Sequence, residues 1–399
     1  MLDASRPGRL GELARLFFKL GVIGFGGPAA HIAMMEDEVI ERRGWIDRQH
    51  FLDLIGATNL IPGPNSTEMT MHVGYARAGW PGLFVAGGSF IFPAALLTGL
   101  FAWAYVEFGT LPAVEPFLLG IKPAVMAVIL GALWRLGKKA VKSALLAGLG
   151  VAVSAALLLG VSEVPALLIG GVVGMLVLVL LGHDGTNGTA ASPQGPALSP
   201  KKAGLLLLAQ PAAAGATGVA GGVSLWKLGL FFLKVGAVLY GSGYVLIAFL
   251  EGDLVDGYGW LTQQQLLDAI AIGQFTPGPV LTTATFIGYV LAGVPGAIVA
   301  TLAIFLPSFM FVGILHPIVP RLRKSRWTAA FLDAINVSAV ALMAVVTLQL
   351  GRNVLISPLT WGIFLVAAVL ALRYKVNAAW LVLGGAGVGW LGSWALGTI

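Results

Sequence analysis

The sequence predicts an all-α polytopic membrane protein, an inverted-topology internal repeat with proline-broken or re-entrant helices, and three observations carry that prediction. The first is composition. With 57% hydrophobic and 11% charged residues and a mean hydropathy of +0.89, too little polar side chain remains to cover a soluble globule. Apolar stretches reach the roughly 20 residues that a membrane-crossing helix needs, and none alternates as a barrel strand would. The second observation is duplication. Leu20 to Pro64 matches Val235 to Pro279 without a gap, and just ahead of this stretch Lys19 falls on Lys234. Glu36 falls on Glu251, Gly44-Trp45 on Gly259-Trp260, and Pro62-Gly63-Pro64 on Pro277-Gly278-Pro279. After the loss of one residue the match resumes, with Gly74-Tyr75 on Gly288-Tyr289 and Pro93 on Pro307. Two homologous halves with hydrophobic segments interrupted at matching places point to a binding path between them.

The third observation is charge. The connector around Glu107 and Glu115 has no Arg or Lys before Lys122, whereas its counterpart reads Arg321-Leu322-Arg323-Lys324-Ser325-Arg326. The next connector reverses the contrast, with Arg135, Lys138, Lys139 and Lys142 against Arg352. In the first polar loop, Arg42, Arg43 and Arg48 correspond to Gly257, Tyr258 and Gln263, beside Glu251, Asp253 and Asp256. By the positive-inside rule, equivalent loops then lie on opposite sides of the membrane.

In order along the chain, the pattern predicts a helical or re-entrant segment at 10–35 and a polar loop at 36–48. A proline-broken pair follows at 49–61 and 65–79, then spans near 82–106, 112–134, 143–161 and 163–182. Gly, Pro, Ser, Thr and Asn dominate 182–202, which reads as a flexible linker. The first repeat is thus 1–182, the linker region 183–223 and the second repeat 224–399. The second repeat predicts a segment at 225–249, a loop at 251–262, a broken pair at 263–276 and 280–292, and spans near 295–318, 328–350, 356–372 and 376–397. Inversion requires an odd number of crossings before the second half, and the weakly hydrophobic stretch 203–223 is the candidate for the extra one. If each broken pair enters and leaves on one side, the N-terminus is cytoplasmic and there are about nine full spans.

Several classes are disfavoured. Basic residues precede an apolar run at the N-terminus, as in a signal peptide. Lys19 interrupts the run and belongs to the repeat, so the segment reads as mature structure. Without cysteine, disulfides and thiolate metal sites are excluded. The net charge of +6 sits in short loops beside hydrophobic segments, so it reads as topogenic and not as a nucleic-acid footprint. No zinc-protease, nucleophile-elbow or Walker pattern occurs. Neither cofactor nor metal is expected, and an enzyme acting on lipid or phosphate would need a nucleophile and base that the sequence does not offer.

The breaks carry the chemistry. Pro62-Gly63-Pro64 cannot continue a helix, and at membrane depth such a break survives only inside protein or along a polar cavity. Asn65, Ser66, Thr67 and Glu68 follow as helix-start residues, which outlines an anion site of exposed amides at a positive dipole end. A bend that merely packs two helices is the plain alternative. Half two keeps Pro277, Gly278 and Pro279 but continues Val280-Leu281-Thr282-Thr283, losing Asn65 and Glu68, and Thr282 is the hydroxyl ligand expected there. Lys19 and Lys234 are ammonium groups within apolar runs, which points to a function or to snorkelling. Gly24 to Pro28 contains Gly26 and Gly27, which let backbones approach, and Pro28, a further helix break. Arg42, Arg43 and Arg77 suit an oxyanion, while His31, His72, Glu36 and Glu68 could relay protons. Each taken singly also reads as a loop or orientation residue. Lys122 is a further buried cation candidate.

The stretches FGGPAAHIAMMEDEVIERRGW, from Phe25, and NLIPGPNSTEMTMHVGYARAGWPG, from Asn59, resemble the signature of the chromate ion transporter (CHR) family, and the halves resemble its two chromate-transporter domains. The motif falls on Gly26, Gly27, Pro28, His31, Glu36, Arg42, Arg43, Trp45, Asn59, Pro62 to Glu68, His72, Gly74 and Arg77. The resemblance implies an inner-membrane carrier that exports chromate, driven by the proton motive force or by exchange for a related anion. Chromate and sulfate are similar tetrahedral dianions, and nothing in the spacing separates them. The expected site takes Asn65, Ser66, Thr67, Lys19, Gly26, Gly27, His31, Arg42, Arg43, Arg77, Lys234 and Thr282 as substrate ligands. Glu68, His72 and Glu36 are its proton-coupling groups. Expected partners are the oxyanion and membrane lipid; a homodimer is left open, as is a carrier of sulfate or another small anion, or a channel.

Overall fold

The computed structural model describes residues 6–25, 27–109, 115–181, 223–240, 243–316, 325–374 and 376–395. Most of the linker and of the candidate extra crossing, together with Gly26, lies outside them. Among the described residues the chain is all helix, without a strand. Half one comprises α1 (Arg6–Ile23), α2 (Pro28–Glu36), α3 (Arg48–Thr58), α4 (Asn65–Phe108), α5 (Glu115–Ala140), α6 (Ala144–Leu158) and α7 (Glu163–Leu180). Half two comprises α8 (Leu225–Val238), α9 (Leu246–Leu250), α10 (Gln263–Phe275), α11 (Thr283–Leu315), α12 (Arg326–Val354), α13 (Pro358–Arg373) and α14 (Ala378–Ala395).

The sequence boundaries hold for the broken pairs, and local chemistry explains them. Asp47 caps α3 by accepting from the His50 amide at 2.9 Å, and Thr262 with Gln265 forms a reciprocal capping box at the start of α10. At about 16 and 20 Å, α3 and α10 are too short to cross a hydrocarbon core of about 30 Å. The segment expected at 10–35 is two helices, because Gly27 with φ 77° caps a new start and Pro28 opens α2. The polar loop is more regular than expected. It contains a π-helical turn, Asp37–Arg42, matched by another at Glu251–Gly257. Gly44 (φ 56°) and Gly259 (φ 60°) turn the chain out of them. The Trp45 amide then donates to the Val39 carbonyl and the Trp260 amide to that of Leu254, both at 2.9 Å.

α4 is a helical hairpin and not one rod. Ala78 (φ −146°, ψ 20°) and Gly79 (φ 63°, ψ −150°) reverse its direction, so that Gly74 lies against the Gly82 carbonyl and the Ala86 methyl. α11 reverses identically at Ala292 (φ −148°, ψ 25°) and Gly293 (φ 61°, ψ −152°), with Gly288 against Gly296 and Ala300. Only the absence of side chains lets these backbones touch.

The two hairpins pack against each other head to tail. Phe84 stacks on Phe309 with 5.5 Å between ring centres, and Trp80 lies over Gly313, so residue numbers rise along one long arm as they fall along the other. Equivalent arms therefore run antiparallel, the arrangement an inverted repeat requires. Among the described residues, five helices are long and apolar enough to cross a membrane: α4, α5 from Pro116, α7, α11 with the turn before it, and α12. Their outer faces carry exposed apolar stripes, among them Val294, Ile298, Leu302, Leu306, Met310 and Ile314 on α11, one residue per turn. A stripe of that kind fits lipid and not water.

Candidate functional site

Four interruptions of helix meet near the middle of the molecule, and they bond across the halves. In Pro62-Gly63-Pro64 the two prolines have no amide hydrogen, which leaves Gly63 as the donor. Its N–H donates to the Leu239 carbonyl, at the end of α8, at 2.6 Å. In half two the Gly278 N–H donates to the Gly24 carbonyl, at the end of α1, at 2.8 Å. Leu239 is the repeat counterpart of Gly24, so the contacts are reciprocal. The His31 ring also donates to the Gly24 carbonyl, at 2.8 Å, while its Nδ1 is buried without a partner. Gly63 has φ 141° and Gly278 φ 92°. A Cβ at Gly63 would strike the Glu68 carboxyl and the Ser308 hydroxyl, and one at Gly278 the Ala94 methyl. Gly27 in turn faces the Tyr244 hydroxyl of half two.

The helix that starts at this crossing is underpaired. Pro64 precedes α4 without a capping side chain. The Thr67 and Glu68 amides turn back onto the Pro64 carbonyl at 2.8 and 3.0 Å, which leaves the Asn65 and Ser66 amides with no partner among the described residues. Asn65 donates to the Asn59 side chain at 2.9 Å. The Thr67 hydroxyl and Glu68 Oε2 are buried and unpartnered. Glu68 is fully buried, and its Oε1 receives only a long 3.4 Å bond from Ser308, on the far arm of α11. Buried polar atoms are normally satisfied, so this cluster is the candidate for a polar ligand. In half two the side chains at the equivalent helix start are satisfied. Thr282 donates to the Pro279 carbonyl at 2.9 Å and receives from Thr98 at 3.2 Å, and Thr283 donates to the Val280 carbonyl at 2.8 Å.

The cationic residues picked from the sequence collect elsewhere. Lys19 donates to Glu38 at 2.9 Å; Arg42 lies 3.5 Å and Arg43 3.2 Å from the same carboxylate. The bond from Lys19 holds the Glu38 carboxyl below its ordinary range, against the opposing effect of burial. Arg48 pairs with Glu36 at 3.3 Å and Glu41 at 3.0 Å. Arg77 pairs with Glu12 at 3.1 Å and stacks over Trp45, 4.8 Å from the ring centre. Arg77 lies twelve residues beyond Asn65, about 18 Å along the helix. The structure thus does not bring Lys19, Arg42, Arg43, Arg77 or Glu36 to the start of α4. Lys234 repeats the pattern of Lys19, 2.6 Å from Asp253, the counterpart of Glu38. Sequence reading singled out Glu36 and passed over Glu38. The signal was present, because an acid follows each repeat lysine at the same spacing of 19 residues.

A family model described as Chromate transporter matches residues 11–176 and 226–390. The chain belongs to the chromate transporter family. It is 31% identical over 384 residues to the chromate transport protein of Cupriavidus metallidurans, covering 94% of this chain and 91% of that one. The probable chromate transport protein of Synechococcus elongatus is 32% identical over 368 residues, covering 90% and 89%. The uncharacterized transporter YwrA of Bacillus subtilis is 29% identical over 127 residues, which is 32% of this chain and 71% of that protein. No solved structure matches the chain.

Within this chromate transporter family member, other polar contacts between halves were not foreseen. His72 on α4 meets His316 at the end of α11, Nδ1 to Nδ1 at 2.8 Å, with Tyr75 against the His316 ring at 4.4 Å. His72 was a candidate; His316, 244 residues away, carried no local signal. Asp268 on α10 meets Tyr105 and Lys122. Among the described residues no three His, Asp or Glu side chains gather as a metal site would require.

Proposed function

We propose that this protein is a secondary active carrier that exports chromate across the cell inner membrane by alternating access between its inverted repeats, with the N-terminus cytoplasmic. The observation that carries the reading is the set of unpaired donors where the breaks of both halves cross. A tetrahedral dianion stripped of water needs several charge-assisted hydrogen bonds, each worth about 1.5–3 kcal/mol. The Asn65 and Ser66 amides and the Thr67 hydroxyl supply them at the positive end of a helix dipole, with the second N–H of the Asn65 side chain, whose first is held by Asn59. Thr282 lines the opposite break. Lys19, Arg42, Arg43, Arg77, Lys234, His31 and the Gly26-Gly27 backbone serve the approach to this point, and Glu36 partners that basic region.

Glu68 gives the coupling. Its carboxyl adjoins the anion position, and two negative groups repel strongly in a desolvated site. The anion therefore binds when Glu68 carries a proton, with His72 further along the same helix as the relay. One proton per dianion leaves a net negative charge, whose exit an inside-negative potential favours by about 2.3 kcal/mol per 100 mV.

Uptake of labelled chromate into inverted vesicles tests this. Asn65→Ala and Thr67→Val each lower the initial rate about tenfold or more, the equivalent of one lost hydrogen bond. Arg77→Ala keeps a measurable rate. Wild-type rates in both Asn65→Ala and Thr67→Val overturn the placement. Sulfate uptake that chromate fails to inhibit, with no chromate accumulation, replaces the substrate by sulfate.

A further inference from the structure

The seam where α10 of half two meets α4 and α5 of half one holds a second ionic group, away from the start of α4. The Asp268 side chain is 0% exposed. Its Oδ2 accepts from the Tyr105 hydroxyl at 2.9 Å, and its Oδ1 receives no hydrogen bond. Lys122 Nζ stands 3.6 Å from Oδ1, beyond hydrogen-bond reach. The pair is a long one held mainly by charge, and the Lys122 side chain, 17% exposed, is open to a closer partner. The group continues a line of contacts between the halves along α4. Thr98 meets Thr282 at the break, Phe101 meets Phe275 at 5.8 Å, and Tyr105 meets Asp268 about 10 Å from Thr98.

We propose that Lys122 is a second oxyanion-binding station, occupied in the empty carrier by the Asp268 carboxylate, and that an arriving tetrahedral oxyanion displaces Asp268 and parts the halves at this end. The carboxylate oxygens stand in for those of the substrate. An oxyanion hydrogen-bonds the ammonium at closer range than Asp268 does, and once it sits there Asp268 faces a like charge instead of an opposite one. The attraction closing the seam becomes repulsion, and α10 moves away from α5 towards water. The other end lacks the cation. The repeat counterparts of Lys122 and Asp268 are Asn336 and Asp53, and Asp53 accepts from Gln49 of its own helix at 3.3 Å. Asp268 acts as a positioning residue, through Lys122.

The inference rests on the oxyanion-carrier reading, and hydrogen exchange separates the two. In lipid nanodiscs, chromate raises amide exchange of residues 263–275 about threefold or more in the wild type, because the seam opens. Lys122→Gln abolishes that response and Lys122→Arg restores it. Lys122→Gln/Asp268→Asn removes both charges together, keeps the fold, and exchanges rapidly with or without chromate. If the wild type transports chromate but its α10 exchange is unchanged, or if Lys122→Gln responds as the wild type does, the station is overturned and the carrier reading stands. Slow exchange in the folded double variant overturns the lock. A wild type that transports no oxyanion overturns the carrier reading itself.

Discussion

Gly63 and Gly44 both hold a backbone that L side chains rarely adopt, with φ 141° and 56°, yet they do different work. A Cβ at Gly44 meets nothing within 4 Å, whereas one at Gly63 runs into Glu68 and Ser308. Gly44→Ala therefore carries only the backbone penalty, about 1 kcal/mol, and keeps transport. Gly63→Ala adds a collision between halves and costs about 3 kcal/mol or more. Thermal unfolding in detergent measures both, and equal losses in the two variants refute the argument. The proline-flanked glycine was plain in the sequence. Its partner was not, because the Leu239 carbonyl it binds is brought there only by the fold.

At the scale of elements, the π-helical turns tie each lysine-bearing first helix to the loop that follows. Half two adds a bridge: Gln263 at the start of α10 donates to Glu251 at 3.1 Å and accepts from Asn353 of α12 at 2.7 Å. Burial, with the Asp256 charge adding to it, pushes the Glu251 carboxyl up from 4.5 to about 7. A folded-state value above the unfolded one means stability that is present below pH 4.5 and lost as pH rises through about 7. The unfolding midpoint of the wild type thus falls between about pH 5 and about pH 8, and that of Glu251→Gln falls less. Parallel profiles sink the assignment. The sequence marked this loop as polar and acidic. Which carboxyl is buried depends on α10 and α12 closing over it.

At the scale of the whole molecule, contacts across the halves hold the centre together. Gly63 with Leu239, Gly278 with Gly24, Ser308 with Glu68 and His72 with His316 all join one repeat to the other. None of them uses the linker. Cutting the chain between residues 183 and 200 and co-expressing the pieces therefore yields a complex that co-purifies and transports, while neither piece transports alone. Failure of intact, membrane-inserted pieces to associate contradicts this picture. The match to YwrA, 127 residues or 32% of this chain and 71% of that protein, is no longer than one repeat.

The sequence by itself determined the class, the duplication, the breaks at Pro28, Pro62-Gly63-Pro64 and Pro277-Gly278-Pro279, and the opposed loop charges. These follow from composition, from spacing and from residues such as proline and glycine, whose effect on the backbone is local. Tertiary structure alone decided which polar atoms are satisfied. It placed Lys19 and the arginines on acids, made Glu38 and not Glu36 the carboxylate that Lys19, Arg42 and Arg43 share, and left the Thr67 and Glu68 side chains of half one short of partners while Thr282 in half two is bonded by Thr98. It also set Asp268 against Tyr105 and Lys122, contacts that span 163 residues in the first case and join helices of different halves. Hydrogen bonding and burial are properties of neighbours in space, and in an inverted repeat those neighbours lie in the other half of the chain.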